Sequence, residues 1–172
     1  MAPTPLPCPG SLSLPIATPP GRSGFGPHLS LSYDSGAGNG PFGLGWHLST
    51  PSITRKTDKG LPKYEDAAGP ESDVFILSGA EDLVPMYRQD TAGALVPGAD
   101  GNPLIDEEEI AGYRIRRYRP RIEGLFARIE RWTLAADSRD VHWRSISKDN
   151  ILTIYGSDSS SRICDPRDAR RV

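Results

Sequence analysis

Short alternations of apolar and polar residues, separated by turn-forming residues, recur along this chain and restrict it to β-structure. In HLSLSYD, Leu29, Leu31 and Tyr33 alternate with Ser30 and Ser32, the period of a half-buried strand. Upstream, SLSLPIA at 11–17 alternates too, and Pro15 confines it to a sheet edge or a strand end. DVFILS at 73–78 and LVPMY at 83–87 flank Gly-Ala-Glu-Asp, a suitable hairpin turn. VHWRSI at 141–146 and ILTIY at 151–155 likewise flank Ser-Lys-Asp-Asn, with Gly156 ending the second strand. EGLFARIERWTL is ambiguous, because Leu125, Ile129 and Trp132 would share a helical face whereas Phe126 and Trp132 would share a strand face. We read it as strand, since it meets a loop at 135–140 and then a clear strand, as a meander does.

Glycine and proline make up about a fifth of the 172 residues, above average usage but short of that of wholly disordered chains. That content fits a fold with many turns. The expected fold class is therefore all-β, built from antiparallel hairpins and a meander. Residues 1–10 read as a flexible Pro-rich lead-in, and 11–172 as one β domain. An exposed loop insertion at 89–109, rich in Gly, Pro and acids, interrupts that domain without splitting it.

A net charge of −2 gives no overall attraction to nucleic acid or to an anionic membrane. The start MAPTPLPCPG lacks the basic residue and apolar run of a signal peptide, and no apolar run approaches membrane-spanning length. Cys8 and Cys164 have no C-x-x-C or histidine partner, so the reading is two reduced thiols, with neither a zinc site nor a disulfide framework.

The stretch SGAGNGPFGLGW at 35–46 matches G-x-G-x-x-G at Gly38, Gly40 and Gly43, with Asp58 near the spacing of a ribose-binding acid. A dinucleotide site needs a helix to open behind the glycines, because its free N–H groups hold the pyrophosphate. LGWHLSTP follows instead, so the reading is structural: Gly36, Gly38, Gly40, Gly43 and Gly45 provide turns and close backbone approach, and Trp46 fills the core beside them. Asp100, Asn102 and Asp106, followed by three glutamates, suggest a calcium loop. Leu104 and Ile105 occupy the positions where an EF-hand needs an oxygen ligand and a glycine, so a solvated acidic loop is expected. RIRRYRPRIEGLFARIER at 114–131 holds seven arginines with interleaved Tyr118 and Phe126, a composition that could bind RNA. In a strand, Arg114 and Arg116 share one face and Arg117, Arg119 and Arg121 the other, and the acids at 106–109 are close by. No nucleic-acid site is expected. His28, His47 and His142 have no nucleophile arrangement around them and read as packed or hydrogen-bonded residues.

GSLSLPIATPPGRSGFGPHLSLSYDSGAGNGPFGLGWHLSTPSITRKTDKGLPKY resembles the amino-terminal region of the SpvB family, which is shared with the B component of insecticidal Tc toxin complexes. DVFILSGAEDLVPMY, YRIRRYRPRIEGLFARIERW and HWRSISKDNILTIYG resemble the segments that follow, in the same order, so that the resemblance covers 10–166. It implies a structural scaffold. In Tc toxins the B component and the amino-terminal part of the C component form a hollow β-rich shell related to Rhs/YD-repeat proteins. That shell encloses a cytotoxic cargo until a pore-forming A component translocates it. The implied partners are the remainder of the B component and the C component, with the A component indirectly involved. The implied location is extracellular, as part of a complex assembled in the bacterial cytoplasm, without direct membrane insertion. In SpvB a separate carboxy-terminal domain ADP-ribosylates actin with Arg, Ser-Thr-Ser and Glu-x-Glu elements around NAD. Glu107 and Glu109 supply a formal Glu-x-Glu, but Ser-Thr-Ser does not occur, so no catalytic site, cofactor or metal is carried over and no enzyme is expected. The resemblance also leads one to expect further strands and a docking propeller after SRICDPRDARRV, so the chain reads as a truncated member. The alternatives are the amino-terminal part of an SpvB-like mono-ADP-ribosyltransferase lacking its catalytic domain, and a freestanding binding or adhesion module.

Overall fold

The computed structural model describes residues 10–21, 26–58, 60–65, 72–78, 82–165 and 167–168. Cys8 and the lead-in up to residue 9 lie outside the described residues. The described chain is all-β and antiparallel, with thirteen strands and one 3-10 turn at Ser159–Ser161. No described helix is long and apolar enough to cross a membrane. The strands divide between two compact units, Met1–Pro51 and Ser52–Val172.

In the first unit, β1 (Ser11–Ile16), β2 (Leu29–Asp34) and β5 (Trp46–Ser49) form a three-stranded sheet in the order β1-β2-β5. Its register sets Leu12 against Tyr33 and Leu14 against Leu31, and Tyr33 and Leu31 in turn against Trp46 and Leu48. The alternation read from sequence thus sorts the apolar residues to one face and serines to the other. β1 lies at the edge that Pro15 requires, and all six of its residues are exposed.

Between β2 and β5 the glycine-rich segment forms a small hairpin of β3 (Asn39–Gly40) and β4 (Gly43–Leu44), turning at Pro41 and Phe42. Gly43 and Gly45 hold φ of 101° and 78°, a region that side chains rarely adopt. At Gly45 a Cβ would also lie 2.6 Å from the Tyr33 ring and 2.7 Å from the Asp34 carbonyl oxygen. Gly40 is confined by the Trp46 carbonyl oxygen, 2.9 Å from where a Cβ would sit, whereas a Cβ at Gly38 would meet nothing within 4 Å. Gly36 would place its Cβ in ordinary contact with Asp34. Trp46 is half-buried, its ring 5.2 Å from that of Tyr33.

The second unit holds an eight-stranded sheet. Its main path runs β13-β12-β11-β10-β8-β7-β6, and β9 joins β10 off that path. These strands are β6 (Ile53–Arg55), β7 (Phe75–Leu77), β8 (Asp82–Pro85), β9 (Glu107–Ile110), β10 (Tyr113–Pro120), β11 (Arg128–Leu134), β12 (Asp137–Ile146) and β13 (Leu152–Tyr155). The hairpins read at β7/β8 and β12/β13 are present, and EGLFARIERWTL becomes strand from Arg128. Two readings change. The loop expected at 135–140 is a turn at 135–136, with β12 beginning at Asp137. The segment 89–109 is mostly exposed up to residue 104 and tied by bridges between Gln89 and Leu95 and between Pro97 and Pro103, but its last three residues belong to β9.

The core packs Phe75, Leu77, Leu83, Tyr118, Ile129 and Trp143, with Ile53, Ala127 and Tyr155 against them. Thermal unfolding of Gly45→Val and Asp100→Ala variants separates the confined turn from the exposed loop. Gly45→Val should lose on the order of 1–3 kcal/mol through backbone strain and collision with Tyr33, and Asp100→Ala under about 0.5 kcal/mol.

Candidate functional site

The arginine-rich segment concentrates polar chemistry on the sheet. One edge of β10 pairs with β11 from residue 113 to 118, while the other edge is shared by β9 and β8. β9 reaches β10 through a two-residue turn at Ala111 and Gly112, with φ of 52° and 79°. Positive φ at both positions is what a type I′ hairpin turn requires. The resulting register sets Glu107 opposite Arg116 and Glu109 opposite Arg114. Opposite charges facing each other across strands stabilise a ladder, which explains why a run of three glutamates takes up a strand despite poor intrinsic preference.

Each face of β10 carries its own set of ion pairs. On the core face, Glu107 accepts from the Arg116 guanidinium and lies 3.7 Å from that of Arg114. Arg116 is 8% exposed and Arg131, its cross-strand partner on β11, only 3%. The Arg131 guanidinium stands 5.3 Å from the centre of the Phe75 ring. Arg55 lies 4.8 Å from the same ring and donates to Asp73 at 2.7 Å. On the opposite face Arg117 donates to Asp106 at 3.3 Å and to Glu108 at 2.6 Å. Glu130, 3% exposed, is held by donors from Arg128 and from the Trp132 indole N–H at 2.9 Å.

Beside Glu130 lies a cluster of rings that sequence reasoning did not assemble. His142 stacks on Trp132 with centroids 5.8 Å apart and meets Tyr113 edge-on at 5.6 Å. The Arg144 guanidinium lies over the Trp132 ring at 3.7 Å from its centroid and donates from Nε to His142 Nε2 at 3.2 Å. Burial pushes the His142 pKa below its ordinary value, and the Arg144 charge pushes it further in the same direction. The available signal was the strand period, which places His142 and Arg144 on one face of β12. The cross-strand register that adds Trp132 and Tyr113 is not written in local sequence.

The other residues singled out from sequence take the following places. The glycines and Trp46 belong to the first unit, where β5 follows the glycines at the place a dinucleotide site would need a helix. Asp100 is turned back on Asn102, accepting its backbone N–H at 3.1 Å and its side-chain amide at 2.9 Å. Asp106 is committed to Arg117. No group of three or more His, Cys, Asp or Glu among the described residues could hold a metal ion. Of the formal Glu-x-Glu, Glu107 is paired with Arg116 and Glu109 stands opposite Arg114, while Glu108 between them pairs with Arg117 on the other face of the sheet.

The family model described as "SpvB: Salmonella virulence plasmid 65kDa B protein" matches residues 6–172. The chain belongs to the SpvB family. It is 36% identical over 162 residues to the mono(ADP-ribosyl)transferase SpvB of Salmonella typhimurium strain 14028s, covering 92% of this chain and 25% of that protein. The SpvB of Salmonella dublin matches to the same extent. This member therefore spans about a quarter of the length of its curated relatives. The solved N-terminal domain of effector protein SpvB from Salmonella typhimurium strain LT2 aligns with a TM-score of 0.70 at 34% identity, over 93% of this chain and 47% of that one. The crystal structure of TcdB2-TccC3-Cdc42 aligns with a TM-score of 0.72 at 30% identity, over 95% of this chain and 7% of that one. The SpvB-type region here is thus similar both to the N-terminal domain of SpvB and to a segment of the TcdB2-TccC3-Cdc42 assembly.

Removing one carboxylate tests the ladder. Glu107→Gln leaves the buried Arg116 cation beside a neutral amide and should cost about 1–2 kcal/mol, allowing for the partial exposure of Glu107. Glu109→Gln, at an exposed position on the same strand, should cost under about 0.5 kcal/mol. Urea unfolding of both variants measures the difference.

Proposed function

We propose that this chain is a wall segment of a hollow β-shell that encloses a cytotoxic cargo, acting as scaffold and carrying no chemistry of its own. The observation that carries this reading is the alignment of nearly the whole chain within the TcdB2-TccC3-Cdc42 crystal structure at 30% identity. The chemistry of the sheet supports it. Arg114, Arg116 and Arg117 meet carboxylates of β9 and its approach, so their charge is spent on holding strands in register. On this reading the partners are the remainder of a B component and the C component, with the A component engaged through them. The assembly acts outside the producing cell. Residues 1–10 serve as lead-in and 11–172 as the β domain of that wall, with Gly36, Gly38, Gly40, Gly43, Gly45 and Trp46 as structural positions.

A second reading rests on the identity to the SpvB transferases. There the same β region would precede an ADP-ribosyltransferase domain, and the scaffold role of these residues would be unchanged.

A chimera tests the proposal. This chain replaces the matching segment of TcdB2 and is co-expressed with TccC3. A soluble complex of the parental size, by size-exclusion chromatography with light scattering, is the expected result. A chimera in which the grafted segment folds but TccC3 elutes separately would contradict the shell role. The isolated chain should also give no saturable heat on calorimetric titration with NAD.

A further inference from the structure

We propose that His142, Arg144 and Trp132 form an acid-operated latch: the neutral imidazole holds the guanidinium over the indole, and protonation of His142 releases it.

The geometry demands a neutral ring. His142 Nε2 accepts the Arg144 Nε–H at 3.2 Å, and an imidazolium has no acceptor to offer. The charged groups around the ring leave a new cation badly placed. On its own strand stand Arg144 and Asp140. Asp140 is paired at 2.6 Å with Arg162, which reaches over from the segment after β13. From β11 the nearby carboxylate is Glu130, held by Arg128 and by the Trp132 indole. From β10 the ring meets Tyr113. On the same face, Glu108 of β9 and Asp106 before it are engaged by Arg117. Protonation therefore removes the acceptor and sets an imidazolium directly against the Arg144 guanidinium. With its tether lost and a like charge beside it, Arg144 leaves the face of Trp132 that it covers at 3.7 Å.

The direction of the pH effect follows. Burial first, and the Arg144 charge second, hold the pKa of His142 in the folded chain below the value of 6.5 that it regains on unfolding. Below pH 6.5 the unfolded chain then binds the proton better, so the stabilisation from neutral His142 is complete above 6.5 and is lost as pH falls through the folded pKa.

The test uses the whole 172-residue chain and His142→Phe, which keeps a ring in the stack but cannot titrate. Between pH 7.5 and pH 5.0 the melting temperature of the parent should fall by about 3–5 °C more than that of the variant. Equal falls would overturn the latch. NMR titration of the unaltered chain decides the matter even if the variant does not fold. His142 should titrate with a midpoint below 6.5, and the Trp132 indole N–H resonance should shift with the same midpoint. A His142 midpoint at or above 6.5, or a Trp132 resonance that does not move with it, would refute the proposal.

Discussion

The second unit is organised around three aromatic rings that lie far apart in sequence. Phe75 of β7, Tyr118 of β10 and Trp143 of β12 meet pairwise, Trp143 at 4.8 Å from each of the others and Phe75 at 6.1 Å from Tyr118. Burying each ring contributes on the order of 1.5–3 kcal/mol, and each tilted or edge contact adds about 0.5–1.5 kcal/mol. A surface ion pair adds about 1 kcal/mol at most. Stability therefore resides in the rings, and the many ion pairs of the sheet select register and hold polar side chains at the margin of the core.

That division explains how arginines come to lie on the core face. Arg55 and Arg131 place their guanidinium planes near Phe75, which recovers part of the interaction lost on leaving water. Arg116 is served by Glu107 across the ladder. β9 then follows from β10, because three arginines in five residues require a neighbouring strand that brings carboxylates to both faces, as Glu107 and Glu108 do.

Much of this was legible in the sequence, and the parts that were not have physical causes. Period-2 alternation located β2, and turn-forming residues between short apolar runs located the β7/β8 and β12/β13 hairpins. β9 was hidden because glutamates disfavour strands in isolation and because its turn uses Ala111 at a positive φ, a conformation alanine does not advertise. The start of β11 was blurred by Leu125 and Phe126, which read as strand residues. Phe126 instead holds a φ of 48° with its backbone N–H donated to Glu123, so the strand opens only at Arg128. The arginine segment could be assigned its two faces from spacing alone, whereas the His142 and Trp132 stack depends on register between strands and could not.

The strands that carry Tyr118, Ile129 and Trp143 form a single cooperative core, and the acidic segment before β9 hangs from it. Hydrogen exchange followed by mass spectrometry tests this directly. Amides of β10, β11 and β12 should exchange slowest and with a common opening free energy, while those at 89–104 should exchange at least about a hundredfold faster. If the amides of β10 exchanged as fast as those at 89–104, the aromatic cluster would not be the core that holds this sheet together.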